Sequence, residues 1–505
     1  MAVPHGVSDQ DFAAALQEFS AAVGDEWVFT SDEDVALYRD AYSPFWGEPE
    51  ERVASAAVAP STVEEVQAVV RSASTRGVPL YPISTGRNLA YGGSAPVYSG
   101  SVVLDLKRMN RVIEVDERSA HALVEPGVSY FDLYNHITER NLDVWIDPPD
   151  PGWGSVIGNA LDGGGGWTAY PFRDHFGAHC GMEVVLGDGE IVRTGMGAVP
   201  NSKTWQQNKW GYGPWVDGLF RQSNMGVVTK MGFWLMPRPE AYITATARVF
   251  NEQDIVPLMD TLNLLENQQI VNGSTQLGGG GAGGPAWTLG VPIYGPANVI
   301  RAQMDYVKSK FEAIEGCQFV ESDMIRIPLS AEDRARVRLV NFGIPNLSTF
   351  SLLGRSQFQP NPAGGHIGFS PIIPRRGEEL LAFRDFFRSS AAEVSGGENL
   401  GILGPVFMTN WERSLVGLIM FPISKDATEN RKVRAAFERW VSLAADKGWT
   451  EYRAPAVFQD TVSDTYSFNN HALRRLHEKI KDAVDPNGII SAGRYGVWPK
   501  HLRDA

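Results

Sequence analysis

Cysteine is scarce in this chain, which carries only Cys180 and Cys317 in 505 residues. Two cysteines cannot form the disulfide framework of a small secreted domain, and they fit a reducing compartment. A chain of this length removes about 75% of its unfolded surface from water, so its fold needs no disulfide or metal to hold it. The sequence therefore excludes the cysteine-rich secreted class.

Long apolar runs are also missing, because no uninterrupted stretch reaches the roughly 18 residues of a membrane-spanning helix. Residues 1–6 contain no basic segment followed by an apolar one, and residues 502–505 match no retention or peroxisomal signal. We therefore expect a cytoplasmic protein that has no membrane partner.

Positive charge is in deficit, since 45 Lys and Arg against 59 Asp and Glu give a net charge of -14. Such a surface repels phosphate backbones, so nucleic acid is not an expected partner. Hydrophobic residues make up 43% of the chain and charged residues 21%, which excludes a disordered or fibrous protein. At roughly 100–200 residues per domain, the length predicts two or three domains.

Helix and strand patterns both occur along the chain. Apolar residues at helical spacing predict a helix over 8–23, and a capping box of Ser61 with Glu64 predicts a helix that ends near Gly77. Alternation predicts a half-buried strand over 243–249, and a C-terminal helix is expected over 469–484. This mixture predicts an α+β fold with a first domain over 1–237, a second over 238–448 and a C-terminal segment, 449–505, that returns to the first.

The glycine-rich stretch 82–93 directly follows a predicted strand. Ser84, Thr85 and Gly86 allow close approach of the backbone, whose N–H groups are able to surround a diphosphate. Arg87 and Asn88 add side-chain donors. The alternative interpretation of this stretch is a glycine-rich surface turn.

A second small-residue loop spans 150–166, about 70 residues further on. Its glycines at 152, 154 and 158 miss the dinucleotide fingerprint by one residue, and no acidic residue clearly follows a second strand about 20 positions later. This argues against a nicotinamide site. Two separate loops of this kind favour an extended cofactor that is held at several points.

Motifs along nearly the whole chain resemble the vanillyl-alcohol oxidase / 4-cresol dehydrogenase flavoprotein family, above all its bacterial eugenol oxidase and 4-alkylphenol (4-ethylphenol) oxidase branches. They are P-x-S-x-G-R-N-x-x-Y-G at 82–92, E-P-G-V-S at 125–129, G-S-x-x-G-N at 154–159, S-N-M-G-V-V-T-K at 223–230, G-H-I-G-F-S-P at 365–371, E-Y-R at 451–453 and G-R-Y-G-V-W at 493–498.

The resemblance implies a two-domain fold, in which an FAD-binding domain is covered by a cap domain built on an antiparallel sheet with helices. The C-terminal segment would return to the FAD site. The motifs and loops together predict a set of residues that hold FAD: Pro82, Ser84, Thr85, Gly86, Arg87, Asn88, Leu89, Pro126, Gly154, Ser155, Gly158, Asn159, Gly226, Val227, Val228, His366 and Arg494.

His366 is expected to carry the flavin covalently. Family members often link the flavin C8 methyl group to a histidine in a G-x-H-x-x-F-S-P context, which residues 364–371 match. A histidine outside such a context is more often structural or solvated.

The resemblance also implies the substrate site, whose expected catalytic residues are Tyr91, Asp150, Tyr452, Arg453 and Arg494. An arginine remains cationic and favours phenolate over phenol, and two tyrosine hydroxyls can donate to the same oxygen. Asp150 is expected near flavin N5, as a base toward water. The alternatives are packing tyrosines, surface arginines and a turn aspartate between prolines.

The resemblance implies an FAD-dependent oxidase of para-substituted phenols. The benzylic carbon would give hydride to flavin N5 through a p-quinone methide, and O₂ would be reduced to H₂O₂. A homodimer is expected from the resemblance.

One alternative is a 4-cresol-dehydrogenase-type flavoprotein subunit with a separate cytochrome partner, because no haem-binding Cys-x-x-Cys-His occurs. Alternatives from other classes are a carbohydrate-active hydrolase or sugar-binding protein, favoured by 14 Trp and many carboxylates, and a non-catalytic FAD-binding protein.

Overall fold

A computed structural model describes residues 3–279, 283–348, 365–409, 411 and 413–503. Helices and strands both occur along these residues. The helices are Asp9–Val23, Asp32–Ala36, Val63–Arg76, Tyr130–Glu139, Val156–Leu161, Ile255–Asn267, Ala297–Phe311, Ala331–Arg336, Gly377–Val394, Ala427–Ala445, Gln459–Thr465 and Phe468–Val484.

The first two predicted helices form, with one local difference. Asp9–Val23 begins after Ser8, which accepts a hydrogen bond from the Asp11 N–H, and it buries Phe12 and Phe19. The capping box of Ser61 with Glu64 is wrong by one residue. Thr62 is the N-cap of Val63–Arg76 and accepts from the N–H of Glu65, whose carboxylate accepts from the backbone N–H of Ser61. Two successive hydroxyl residues and two successive glutamates made both registers compatible with the sequence.

Two sheets occupy the first half of the described chain. A four-stranded, mainly parallel sheet has the order Val28–Phe29, Ala57–Val58, Val102–Asp105, Leu80–Ile83. A five-stranded antiparallel sheet has the order Val112–Asp116, His121–Val124, Val227–Trp234, His179–Val185, Ile191–Arg193. A short pair joins Val144–Trp145 and Met236–Pro237.

Two further antiparallel sheets follow in the described chain. In one, the path runs Gln276–Gly279, Trp287–Gly295, Ala241–Val249, Gln318–Glu321, and Ile325–Arg326 also pairs with Ala241–Val249. In the other sheet the strand order is Gly365–Phe369, Ser414–Ile423, Pro371–Pro374, Thr450–Glu451. Strand Leu403–Met408 also pairs with Ser414–Ile423. Their shared core buries Leu262, Phe383 and Trp440.

The end of the chain joins the first core again. Ile489 and Ile490 are buried in the cluster that contains Phe12 and Leu80. Leu80 donates its N–H to the Ile489 carbonyl at 2.7 Å, and Ser491 donates to the Leu80 carbonyl at 2.8 Å. These bonds place residues 491–495 beside the loop that follows strand Leu80–Ile83. In the described part of the chain, no helix has the length and hydropathy to cross a membrane.

Candidate functional site

A deep cleft lies where the first two sheets and the returning C-terminal segment meet. Its wall combines both glycine-rich loops with the returning C-terminal segment, which suits an extended organic cofactor. The predicted residues on its wall are Pro82, Ser84, Thr85, Gly86, Arg87, Asn88, Pro126, Gly154, Ser155, Gly158, Asn159, Gly226, Val227, Val228 and Arg494.

The loop after strand Leu80–Ile83 offers a row of backbone donors to this cleft. From Ser84 to Arg87, the N–H groups have no acceptor among the described residues. Gly86 has φ of +68°, and a Cβ there would overlap the Ser94 hydroxyl, so the turn requires glycine. Successive unpaired N–H groups form an anion-binding concavity, which fits the diphosphate of FAD.

The second loop packs directly against the first. Ser155 accepts from the Gly158 N–H at 3.0 Å and donates to the Pro126 carbonyl at 2.6 Å. A Cβ on Gly158 would overlap the Ser84 hydroxyl, whereas a Cβ on Gly154 would meet nothing within 4 Å. Gly158 therefore permits contact between the loops, and Gly154 opens onto the cleft. Small side chains on both walls and the unpaired backbone donors of the first loop fit FAD.

Two of the predicted FAD residues do not line the cleft. Leu89 is absent from its wall. His366 lies half-buried on strand Gly365–Phe369, with its ring centroid 5.5 Å from that of Tyr42. Gly364, which begins the attachment motif, lies outside the described residues. The covalent link to His366 stays a prediction.

Three of the predicted catalytic side chains come together at Arg453. Its guanidinium carbon lies 3.8 Å from the ring centroid of Tyr91, and Tyr452 is its neighbour in the chain. Burial raises the pKa of both tyrosine hydroxyls, so that both remain protonated donors. Burial alone would lower the pKa of Arg453, but Asp162 and the tyrosines outweigh it, and the guanidinium stays charged.

Asp162 is the residue that sequence reasoning missed. Its Oδ2 accepts from Arg453 Nε at 2.9 Å and Asn88 Nδ2 at 2.7 Å, and its Oδ1 accepts from Arg494 at 2.7 Å and from the Tyr495 hydroxyl. Burial alone would raise the pKa of Asp162, but the two arginines hold it below its usual value. An acidic residue in a glycine-rich loop carried no signal of these partners.

Asp150 lies apart from this group. Its side chain is fully buried, accepts from the Ser348 hydroxyl at 2.7 Å and lies 4.0 Å from an Arg338 nitrogen. Arg338 stacks on Trp167, with 3.6 Å between the guanidinium carbon and the ring centroid. Asp150 thus has polar partners of its own. Among the described residues, no hydrogen bond joins it to Arg453.

Glu451, next to Tyr452, was also missed. It is buried, and its Oε2 accepts from the Ser370 N–H at 2.8 Å. Burial raises the pKa of this carboxyl well above its usual range, although the Ser370 bond opposes the shift. A neutral carboxyl at Glu451 leaves Arg453 and Asp162 as the charged side chains that act on Tyr91.

Comparisons with known proteins identify an FAD-binding domain and near-full-length relatives. Residues 54–195 match the model of an FAD binding domain. The chain is 33% identical to the 4-cresol dehydrogenase [hydroxylating] flavoprotein subunit of Pseudomonas putida, over 98% of this chain and 97% of that protein. It is 39% identical to the 1'-carboxy-chondrochloren decarboxylase of Chondromyces crocatus, over 88% of this chain and 91% of that protein.

Among solved structures, the 4-ethylphenol oxidase of Gulosibacter chungangensis in its isoeugenol complex superposes with a TM-score of 0.87. It is 34% identical, and the match covers 99% of this chain and all of that one. The predicted α+β fold and the FAD cofactor are confirmed by these matches. The chain therefore belongs to the vanillyl-alcohol oxidase / 4-cresol dehydrogenase family of FAD-dependent oxidoreductases.

Proposed function

We propose that the protein oxidises para-substituted phenols, namely 4-alkylphenols, 4-hydroxybenzylic alcohols and eugenol-like compounds. The observation that carries this proposal is the placement of Arg453 over Tyr91, beside Tyr452 and next to the FAD cleft. A buried guanidinium with two protonated tyrosines near it suits a phenolate oxygen. The full-length similarity to phenol-oxidising flavoproteins supports the same substrate class.

The residues of the chain hold the cofactor and the substrate in this proposal. The N–H groups of Ser84 to Arg87 bind the FAD diphosphate, and Gly154 lets the cofactor approach the backbone. Bound FAD would supply the hydride acceptor at N5, and O₂ as the final electron acceptor would yield H₂O₂. Arg453, Tyr91 and Tyr452 stabilise the phenolate, which pushes electrons toward the para position and makes the benzylic C–H a hydride donor.

Asp150 takes the proton of the water that adds to the resulting p-quinone methide. Its buried carboxylate accepts from the Ser348 hydroxyl and lies 4.0 Å from an Arg338 nitrogen, and these contacts hold it in place as the base. Water addition yields a benzylic alcohol, loss of a proton yields a vinylphenol, and an alcohol substrate yields an aldehyde.

A matched pair of substrates tests the proposal. The purified holoenzyme should convert 4-ethylphenol with oxygen uptake and formation of H₂O₂, but it should leave 4-ethylanisole unchanged. The methyl ether has the same benzylic group and cannot become a phenolate. Equal turnover of the two compounds, or none with any para-alkylphenol, would contradict the proposal.

A second candidate differs in its electron acceptor. The similarity to a flavoprotein subunit of 4-cresol dehydrogenase favours a cytochrome as partner. Anaerobic reduction of added cytochrome c by 4-ethylphenol, together with negligible oxygen uptake in air, would support this candidate over the oxidase. Oxygen uptake that matches substrate oxidation would exclude it.

The covalent flavin at His366 forms part of the proposal. After denaturing electrophoresis, the 55.4 kDa band should fluoresce as flavin, and His366→Ala should abolish this fluorescence. A fluorescent band in the variant would contradict attachment at this residue. We also propose a homodimer and a cytoplasmic location, which light scattering and cell fractionation test.

A further inference from the structure

Asp162 joins three segments that are far apart in the sequence. Asn88 belongs to the first cofactor loop, Arg453 follows strand Thr450–Glu451, and Arg494 belongs to the returning C-terminal segment. All three bond to the one carboxylate at 2.7 to 2.9 Å. The side chain of Asp162 is only 8% exposed.

The contacts fix the orientation of both guanidinium groups. Arg453 uses Nε for Asp162 and a terminal nitrogen for the Asn88 carbonyl oxygen, at 2.6 Å. Arg494 uses one terminal nitrogen for Asp162 and the other for the Tyr81 hydroxyl, at 2.5 Å. Each arginine has five N–H groups, so both keep donors for a ligand.

The charges in this group do not cancel. One carboxylate faces two guanidinium groups, which are 12% and 15% exposed, and the local charge is therefore one positive unit. Without the carboxylate, two cations would share one buried site and repel each other. A carboxylate at this point allows both arginines to stay in place beside an anionic ligand.

We propose that Asp162 is a positioning residue, which holds Arg453 and Arg494 in the geometry that binds the phenolate oxygen. This inference rests on the proposed function. Asp162 does not touch the reacting carbon. It acts through the two arginines, and its loss would affect ligands that carry an anionic oxygen more than neutral ligands of the same shape.

Asp162→Asn tests this role directly. An asparagine has only one acceptor atom, and its amide group donates, so at most one arginine keeps its bond. The Kd of phenol for the FAD-loaded variant, measured from the flavin absorbance, should rise about tenfold or more. The Kd of aniline, which forms no anion, should stay within about twofold by the same reasoning.

Two further variants complete the experiment. Asp162→Glu retains the charge and should recover part of the phenol affinity, whereas Asp482→Asn removes a surface carboxylate that pairs with Arg503 and should change neither affinity. Unchanged or tighter phenol binding in Asp162→Asn would overturn the proposal. An equal loss of affinity for phenol and for aniline would also overturn the proposal, because general damage to the pocket weakens the binding of both ligands. If Asp162→Asn does not fold, the test uses Asp162→Glu alone, which must then weaken the binding of phenol more than the binding of aniline. An equal effect on the two affinities would overturn the proposal.

Crystal structures of the wild-type and variant holoenzymes separate this inference from the proposed function. If the wild type binds no phenol, the proposed function fails, and the positions of the arginines still decide the role of Asp162. We expect Arg453 or Arg494 to leave its wild-type position in Asp162→Asn. Both arginines in unchanged positions would overturn the inference.

Discussion

At the scale of single residues, the proposed recognition of phenolate depends on Arg453. Its guanidinium donates to the side-chain oxygen of Asn88, in the cofactor loop, and lies over the ring of Tyr91. Arg453 thus connects both residues to the C-terminal segment. Its charge persists at any working pH, so the pH dependence of phenolate binding should follow the ionisation of the substrate and not that of the arginine.

Arg453→Met should abolish most of the activity on phenols. Removal of one buried, charged donor to a developing or resident oxyanion typically costs about 10²–10³ in rate, and we expect kcat/KM for 4-ethylphenol to fall by that factor. The FAD content should stay at the wild-type level. Arg474→Met, which removes a partly exposed arginine paired with Asp464, is the matched control. A loss of less than about threefold in Arg453→Met would contradict the role given to this residue.

Asp40 should make stability depend on pH. Burial raises the pKa of Asp40 to about 6, against the Tyr42 N–H and Lys425, which oppose the shift. The folded state therefore holds a proton that the unfolded state releases at lower pH. This stabilising contribution is complete below about pH 4 and disappears as the pH rises through 6.

Asp40→Asn should remove this dependence because an amide does not ionise in this range. The amide oxygen can still accept from the Tyr42 N–H, whose nitrogen lies 2.9 Å from Asp40 Oδ1. The gain in stability should approach about 3 kcal/mol near pH 7.5 and vanish near pH 4. Thermal unfolding of the wild type and of Asp40→Asn across this pH range measures the difference in stability. A constant difference at all pH values would show that Asp40 does not titrate as described.

The sequence and the structure differ most at single buried polar residues. The residues of the cleft wall follow contiguous motifs, so Ser84 to Asn88 and Gly154 to Asn159 were predictable as groups. Asp162 lies in none of these motifs, and Glu451 was predicted only as a member of the E-Y-R motif, with no role of its own. The importance of Asp162 comes from partners such as Arg494, which lies hundreds of residues away in the sequence. That of Glu451 comes from its burial and its bond to Ser370. Local spacing encodes neither property.

At the scale of elements, the helix Phe468–Val484 fixes the returning segment. Lys481 on this helix is fully buried and donates to the carbonyls of Asn224 and Ile490 at 2.6 and 2.7 Å. It also pairs with Asp485 at 2.6 Å. One ammonium group thus ties the helix to the strand connection that leads to Gly226, on the cleft wall.

Lys481→Met should destabilise the fold strongly, because it leaves a buried carboxylate and two carbonyls without their partner. The expected loss is about 3–5 kcal/mol, and FAD should dissociate more readily. Lys479→Met changes an exposed lysine on the same helix and should have little effect. Chemical unfolding of the two variants, with flavin release as second readout, measures the difference. Equal stability of the two would contradict the anchoring role.

Elements with a strong apolar repeat were predictable, and elements defined by distant pairing were not. Asp9–Val23 follows directly from the spacing of its buried residues. The C-terminal helix was expected from residue 469, but residues 469–471 are left-handed, two of them asparagines, which tolerate this conformation. Strand Thr450–Glu451 pairs with Pro371–Pro374, and no local pattern predicts that contact.

At the scale of the whole molecule, the active site depends on a chain that leaves its first core and comes back. The sheets of residues 241–451 form one core, whereas Ile489 and Ile490 return to the core of the first helix. The boundaries at 237 and 448 stay predictions. The return path explains why Arg494 and the loop 84–88 form one cleft wall.

If the protein oxidises phenols as proposed, phenols reduce its flavin directly. Anaerobic mixing of the FAD-loaded enzyme with 4-ethylphenol should bleach the yellow flavin absorbance, and 4-ethylanisole should leave it unchanged. This single-turnover measurement does not depend on whether oxygen or a cytochrome accepts the electrons afterwards. A flavin that stays oxidised with 4-ethylphenol and with other para-alkylphenols would contradict the account.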